Sequence, residues 1–97
     1  MNGAIINSET KIGENCIINT GSIIEHDCCI ADNIHIAPGV TLSGEVIIKN
    51  NSHIGTGATI KQGTTIVENT IIGAGAVVTK NIIEPGTYVG IPAKKIK

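Results

Sequence analysis

Residues 12–36 read IGENCIINTGSIIEHDCCIADNIHI, and within that stretch a branched aliphatic returns at every sixth place: Ile12, Ile18, Ile24, Ile30 and Ile36. The series runs back to Ile6 and forward through Leu42, Ile48, Ile54, Ile60, Ile66 and Ile72 to Val78, with no insertion or slip. The residue four places beyond each is mostly small or β-branched, as at Thr10, Cys16, Ser22, Cys28, Ser52, Ala58 and Thr64, with Ile34 the bulky exception. Gly13, Asn33, Gly39, Asn51, Gly55, Gly57, Gly63, Gly73 and Gly75 fall between, and such residues suit tight turns. Six matches neither the 3.6-residue helical period nor a plain alternation of two. A short strand followed by a one- or two-residue corner does match it. Three such units close a triangular winding of 18 residues, and successive windings stack as parallel strands ~4.8 Å apart. The aliphatics then line the interior in three columns. The expected fold class is all-β, a parallel β-helix of about four triangular coils spanning residues 1–78. At position 84 the next aliphatic is replaced by Glu84, so residues 79–97 are expected to form a separate C-terminal tail.

Composition fits an interior built from stacked aliphatics. The 97 residues include 21 isoleucines and 12 glycines but no Trp, no Phe and one Tyr, so no aromatic core is available. With seven Lys, no Arg and a net charge of −1, the chain has no basic face for nucleic acid. No apolar run reaches the ~18 residues of a membrane span, and no signal-peptide pattern opens the chain. A cytoplasmic protein without a membrane partner is expected. Cys16, Cys28 and Cys29 are odd in number and lack Cys-x-x-Cys spacing, which argues against a disulfide framework or a thiolate zinc site. A prism this thin has much surface for its interior, so side-by-side association is expected, and a trimer suits three flat faces.

Three histidines carry the candidate chemistry. His26 falls near a corner between Glu25 and Asp27, and Gly44 lies one winding above it. An imidazole titrating near neutrality can serve as a general base, and either neighbouring carboxylate could orient it. Gly44 would offer an unobstructed backbone N–H to a developing oxyanion. His35 and His53 each precede an inward aliphatic, point outward and stack one winding apart. A surface or subunit-contact role suits them, because no third metal ligand is evident. Cys29 points outward with no activating neighbour, and Lys80, Lys94, Lys95 and Lys97 gather near the C-terminus, where a solvated tail or a phosphate contact would each account for them.

The hexads, together with Gly73-Ala74-Gly75-Ala76-Val77-Val78 and Gly90-Ile91-Pro92-Ala93-Lys94, resemble the hexapeptide-repeat acyltransferase superfamily. The resemblance implies a left-handed β-helix, a homotrimer, and acetyl-CoA lying between adjacent prisms. Handedness enters only through the resemblance, since parallel crossovers are otherwise right-handed. A narrower likeness rests on Ile18-Asn19-Thr20, Ile24-Glu25-His26-Asp27-Cys28 and His35. It is to sugar acetyltransferases of the sialic acid O-acetyltransferase and bacillosamine N-acetyltransferase type. It implies that His26 is the base and that Asp27 raises its basicity. It further implies that His35 meets the thioester region, that Gly44, Thr56 and Ala74 line the acetyl-CoA groove, and that no metal takes part. The implied function is acetyl transfer to an amine or hydroxyl of a sugar or nucleotide-sugar. Members of that group carry an N-terminal domain that holds the acceptor. Hexads starting at Ile6 lead to the expectation that the trimer alone, a separate chain, or another kind of site holds it here. The alternatives are a non-catalytic trimeric scaffold or degenerate subunit, and a zinc hydratase resembling the γ-carbonic anhydrases, whose closely spaced histidine pair is missing.

Overall fold

The computed structural model describes residues 4–6 and 9–97, and in it the hexads become two-residue strands separated by turns. The first face stacks Ile5–Ile6, Ile23–Ile24, Thr41–Leu42, Thr59–Ile60 and Val77–Val78. The second stacks Lys11–Ile12, Cys29–Ile30, Ile47–Ile48 and Thr65–Ile66. The third stacks Ile17–Ile18, His35–Ile36, His53–Ile54, Thr70–Ile72 and Gly86–Val89, with Lys94–Lys95 at its edge. Pairing among the hexad strands is parallel and in register at 18 residues, as in Ile6↔Ile24 and Ile36↔Ile54. The result is a left-handed β-helix of about 5 turns.

Each strand presents one residue outward and one inward, as the two-residue alternation of extended backbone requires. Ile24, Ile36, Leu42, Ile48, Ile54, Ile60, Ile66 and Ile72 are wholly buried in the three columns. The second inward residue of each unit is small because two large side chains per unit would overfill so narrow an interior. Polar residues there bond to backbone carbonyls at several windings: Ser22 Oγ donates to Ala37 O at 2.9 Å and Thr70 Oγ1 to Val67 O at 2.8 Å. Among the described residues, no buried side-chain nitrogen or oxygen lacks a partner.

The C-terminal segment departs from the expected separate tail. Ile82 bridges Ile66 in parallel and is buried, and Tyr88 pairs with Ile72 on the third face. Both partners are 16 residues apart, not 18. The hexad therefore continues after Val78 with one unit shortened by two residues, so that Ile82, and not position 84, enters the second column. Lys94–Lys95 then folds back antiparallel on Gly86–Val89, and residues 79–97 complete the uppermost winding.

The corners share one backbone feature. At every sixth residue from 9 to 75, φ lies between 58° and 76°, in the left-handed region. The three corners fill this position with different residues. Between the first and second faces it holds Glu9, Asp27, Glu45 and Gly63. Between the second and third it holds Asn15, Asn33, Asn51 and Asn69, and between the third and first Gly21, Gly39, Gly57 and Gly75. Glycine, asparagine and aspartate tolerate this backbone best, so the two glutamates on the first corner stand out.

Candidate active site

His26 sits on the first corner, where it and Asp27 form the turn that follows the strand Ile23–Ile24 and Glu25. Both His26 and Asp27 are more than half exposed. The left-handed turn at Asp27 lets its carboxylate reach back to the preceding side chain, so that His26 Nδ1 lies 3.0 Å from Asp27 Oδ2. Nδ1–H donates to the carboxylate, which leaves the Nε2 lone pair as the ring's proton acceptor. That hydrogen bond is the main cause of a pKa raised above the ordinary histidine value. The ring's slight loss of solvent opposes the rise, and the charges of Asp27, Glu45 and Glu25 add to it.

Gly44 lies one winding above. A Cβ there would stand 2.8 Å from His26 Nε2 and 2.9 Å from Cε1, so only glycine leaves the ring its place. The second corner shows what this position does elsewhere. There, at the same register, Glu14 N–H donates to Asp32 Oδ1 and Asp32 N–H to Asn50 Oδ1, both at 2.8 Å. On the first corner that cap is missing. Gly44 has no side chain to offer His26, and Gln62 turns away to donate from Nε2 to Glu45 Oε1 at 3.3 Å. Among the described residues, the Gly44 N–H donates to none.

The third face carries the other two histidines. His35 and His53 occupy adjacent windings in register, with ring centroids 4.6 Å apart and an interplanar angle of 61°. Asn19 Nδ2 donates to His35 Nε2 at 3.4 Å. Burial, and secondarily the neighbouring His35, lower the pKa of His53. Thr56 and Ala74 stack on the third corner, where Gly75 N–H donates to Thr56 O at 2.8 Å. Cβ atoms at Gly57 and Gly75 would meet nothing within 4 Å. Packing therefore does not demand glycine on this corner, and asparagine holds the same φ on the second. What the four glycines produce is a strip of bare backbone.

The six residues predicted from sequence thus fall in two places. His26, Asp27 and Gly44 converge on the first corner. His35, on the third face, and Thr56 and Ala74, on the third corner, lie away from it across the prism, and one chain does not unite the two groups. Glu45 and Gln62 were not singled out from sequence. The signal was a glutamate at 45, in a phase that apart from Glu9 carries Gly, Asn or Asp.

The family model for the bacterial transferase hexapeptide (six repeats) matches residues 9–44 and 45–80. The chain belongs to this family. Comparison with curated proteins finds no sequence match. Among solved structures, GDP-perosamine N-acetyltransferase from Caulobacter crescentus, a histidine-to-alanine mutant in complex with CoA and GDP-perosamine, is 36% identical with a TM-score of 0.97. That match covers 100% of this chain and 46% of the other. The acetyltransferase domain of PglB from Neisseria gonorrhoeae, in complex with acetyl coenzyme A, is 34% identical over 99% of this chain and 53% of its own, with a TM-score of 0.83. A maltose O-acetyltransferase from Clostridium difficile is 29% identical over 99% of this chain and 63% of its own, with a TM-score of 0.81. The chain therefore spans about half the length of the perosamine and PglB acetyltransferase chains. Among the described residues, no helix is long and apolar enough to cross a membrane.

Proposed function

We propose that this hexapeptide-repeat chain is an acetyl-CoA-dependent acetyltransferase acting on a sugar or nucleotide-sugar, with His26 as general base. The observation that carries the reading is the arrangement at the first corner: an imidazole whose Nδ1 is held by Asp27 and whose Nε2 stands beside the uncapped amide of Gly44. Nε2 takes the proton of the acceptor as it attacks the thioester carbonyl. Asp27 keeps the ring in the tautomer that leaves Nε2 free and stabilises the imidazolium that results. The Gly44 N–H faces the carbonyl oxygen as negative charge develops there. Direct attack needs no nucleophile from the protein.

The acetyl donor lies along the glycine strip of the third corner of a neighbouring copy, beside Thr56 and Ala74, with His35 of that copy facing the thioester. A site with all six residues is incomplete in one chain. Three prisms, each presenting its first corner to the third corner of the next, would complete three such sites in a closed ring. The relatives' complexes with CoA and acetyl coenzyme A support acetyl-CoA as the donor. The perosamine enzyme was solved with one histidine replaced by alanine or by asparagine, each with CoA and GDP-perosamine bound, which fits an imidazole near the two ligands.

The test follows acetyl-CoA consumption against a panel of amino sugars and nucleotide-sugars, beside thermal melting with acetyl-CoA. His26→Ala should lower turnover by about 10²- to 10⁴-fold while acetyl-CoA still raises the melting temperature. A protein that neither consumes nor is stabilised by millimolar acetyl-CoA would instead be a scaffold.

A further inference from the structure

The charge at the first corner bears on which nucleophile His26 serves. Asp27 and Glu45 occupy the same corner position on successive windings, and Glu25 immediately precedes His26. Glu45 is tied to the site twice. Its backbone N–H donates to His26 O at 3.0 Å, and Gln62 holds its Oε1, leaving Oε2 for another partner. All three carboxylates act on the imidazole as negative charges. The basic residues nearest in sequence are Lys11 to His26 and Lys49 to Glu45, Lys61 precedes Gln62 on the same corner, and the C-terminal lysines belong to the top of the prism. Around the imidazole itself the charges that act are the three carboxylates.

We infer that the acceptor is a primary amine arriving as its ammonium ion, not a hydroxyl, and that Glu45 is a specificity-determining residue that receives it. The inference rests on the acetyltransferase reading above and adds the class of nucleophile to it. The carboxylates form no site apart from His26; they set the field in which its substrate reacts. An amine is cationic near neutral pH and is drawn into that field, whereas a sugar hydroxyl is neutral and gains nothing from it. The two also differ during the reaction. As an N–C bond forms, nitrogen acquires positive charge, which nearby carboxylates stabilise. As a hydroxyl is deprotonated, oxygen acquires negative charge, which they oppose.

The balance of the reaction supplies an independent readout. An ammonium acceptor loses one proton to water before attack. The amine then forms the N–C bond, the C–S bond breaks, and a second nitrogen-bound proton passes through His26 to the departing sulfur. Each turnover of R–NH3⁺ with acetyl-CoA yields the amide, CoA-SH and one free proton. A hydroxyl acceptor yields the ester and CoA-SH with no net proton.

The experiment uses the full chain with matched pairs of nucleotide-sugars, GDP-perosamine among them, each amine paired with the counterpart carrying a hydroxyl at the same carbon. Thiol release and proton release in weak buffer are followed together. Supporting results are acetylation of an amine at least about tenfold faster than its hydroxyl partner, with one proton per thiol. Glu45→Gln should then raise KM for the amine about fivefold with kcat nearly unchanged, an effect that fades in 1 M salt, as expected of one exposed charge pair. Glu45→Gly, which relieves the left-handed backbone and so keeps the fold, should behave likewise. Equal or faster use of the hydroxyl partner, thiol release without protons, or unchanged KM in both variants overturns the inference and leaves the acetyltransferase reading intact. Turnover of no pair overturns both.

Discussion

The first and second corners of the prism are built on the same backbone, and the difference between them separates scaffold from site. Both place a left-handed residue every 18 positions along the stack. On the second, asparagine fills that place on four successive windings, and Asp32 and Asn50 cap the amides of the winding below. Two of the corner's amides are thus satisfied by its own side chains. On the first, the capping register holds His26, Gly44 and Gln62, and the left-handed register holds the carboxylates Glu9, Asp27 and Glu45 below Gly63. Amides go uncapped, a ring occupies the space of a missing side chain, and two glutamates accept a backbone they do not favour. A buried, uncapped amide beside an imidazole, on a corner whose left-handed backbone carries glutamate, is what a functional site leaves behind.

The sharpest way to break that contrast is to give Gly44 a side chain. Gly44→Ala puts a Cβ where His26 Nε2 now lies and should cost roughly 10²-fold in turnover. Position 44 is not left-handed, so chemical denaturation should find stability within about 0.5 kcal/mol of the parent. Equal losses of stability and activity would mean that Gly44 serves packing alone. Next in size is Asp27→Asn, which keeps the turn but removes the charge that holds the imidazole. About tenfold in rate should be lost. The acid limb of the pH–rate profile should move down toward the ordinary histidine value, because the main cause of the raised pKa is gone. An unmoved limb would show that another group titrates there.

The columns were legible in sequence because one class of side chain recurs without interruption from Ile6 to Val78. The continuation was not, because it depends on a corner shortened by two residues, which shifts Ile82 and Tyr88 out of phase. His26 and Gly44 could be placed together by counting 18, since stacking follows directly from the period. The same count sets His35, Thr56 and Ala74 on other sides of the prism than His26, so their separation was legible too, whereas the contact of His26 Nδ1 with Asp27 depends on the folded turn. The three corner compositions escaped notice for a related reason. A residue's neighbour in a corner is 18 places away, and the left-handed φ that makes glutamate unusual there is a property of the folded backbone.

The third corner extends the comparison at smaller scale. Gly57→Asn would give the bare strip one side chain of the kind the second corner carries throughout, at a φ asparagine already adopts in this protein. The fold should be unaffected, with a melting temperature close to the parent's. Acetyl-CoA should bind about fivefold more weakly by calorimetry, or about 1 kcal/mol. Unchanged affinity would remove the donor from this strip.

The smallest effect concerns the paired histidines of the third face. Burial and the adjacent His35 favour neutral His53, so its folded pKa lies below that of the unfolded chain. Between the two values the unfolded chain binds more protons. Stability is therefore full above about pH 6.5 and declines as pH falls through the unfolded value toward the folded one. His26 works in the opposite sense. Its folded pKa is raised, so its contribution is present below the unfolded value and is lost as pH rises through the folded one. Because His26 is largely in solvent, its part is heavily screened, and the His53 trend should prevail in melting temperatures taken between pH 7.5 and 5. His35→Asn removes the secondary cause and should shrink the decline without abolishing it, since burial of His53 remains the larger cause. A decline as steep in that variant as in the parent would assign the acid sensitivity to burial alone and leave the contact between the two rings electrostatically idle.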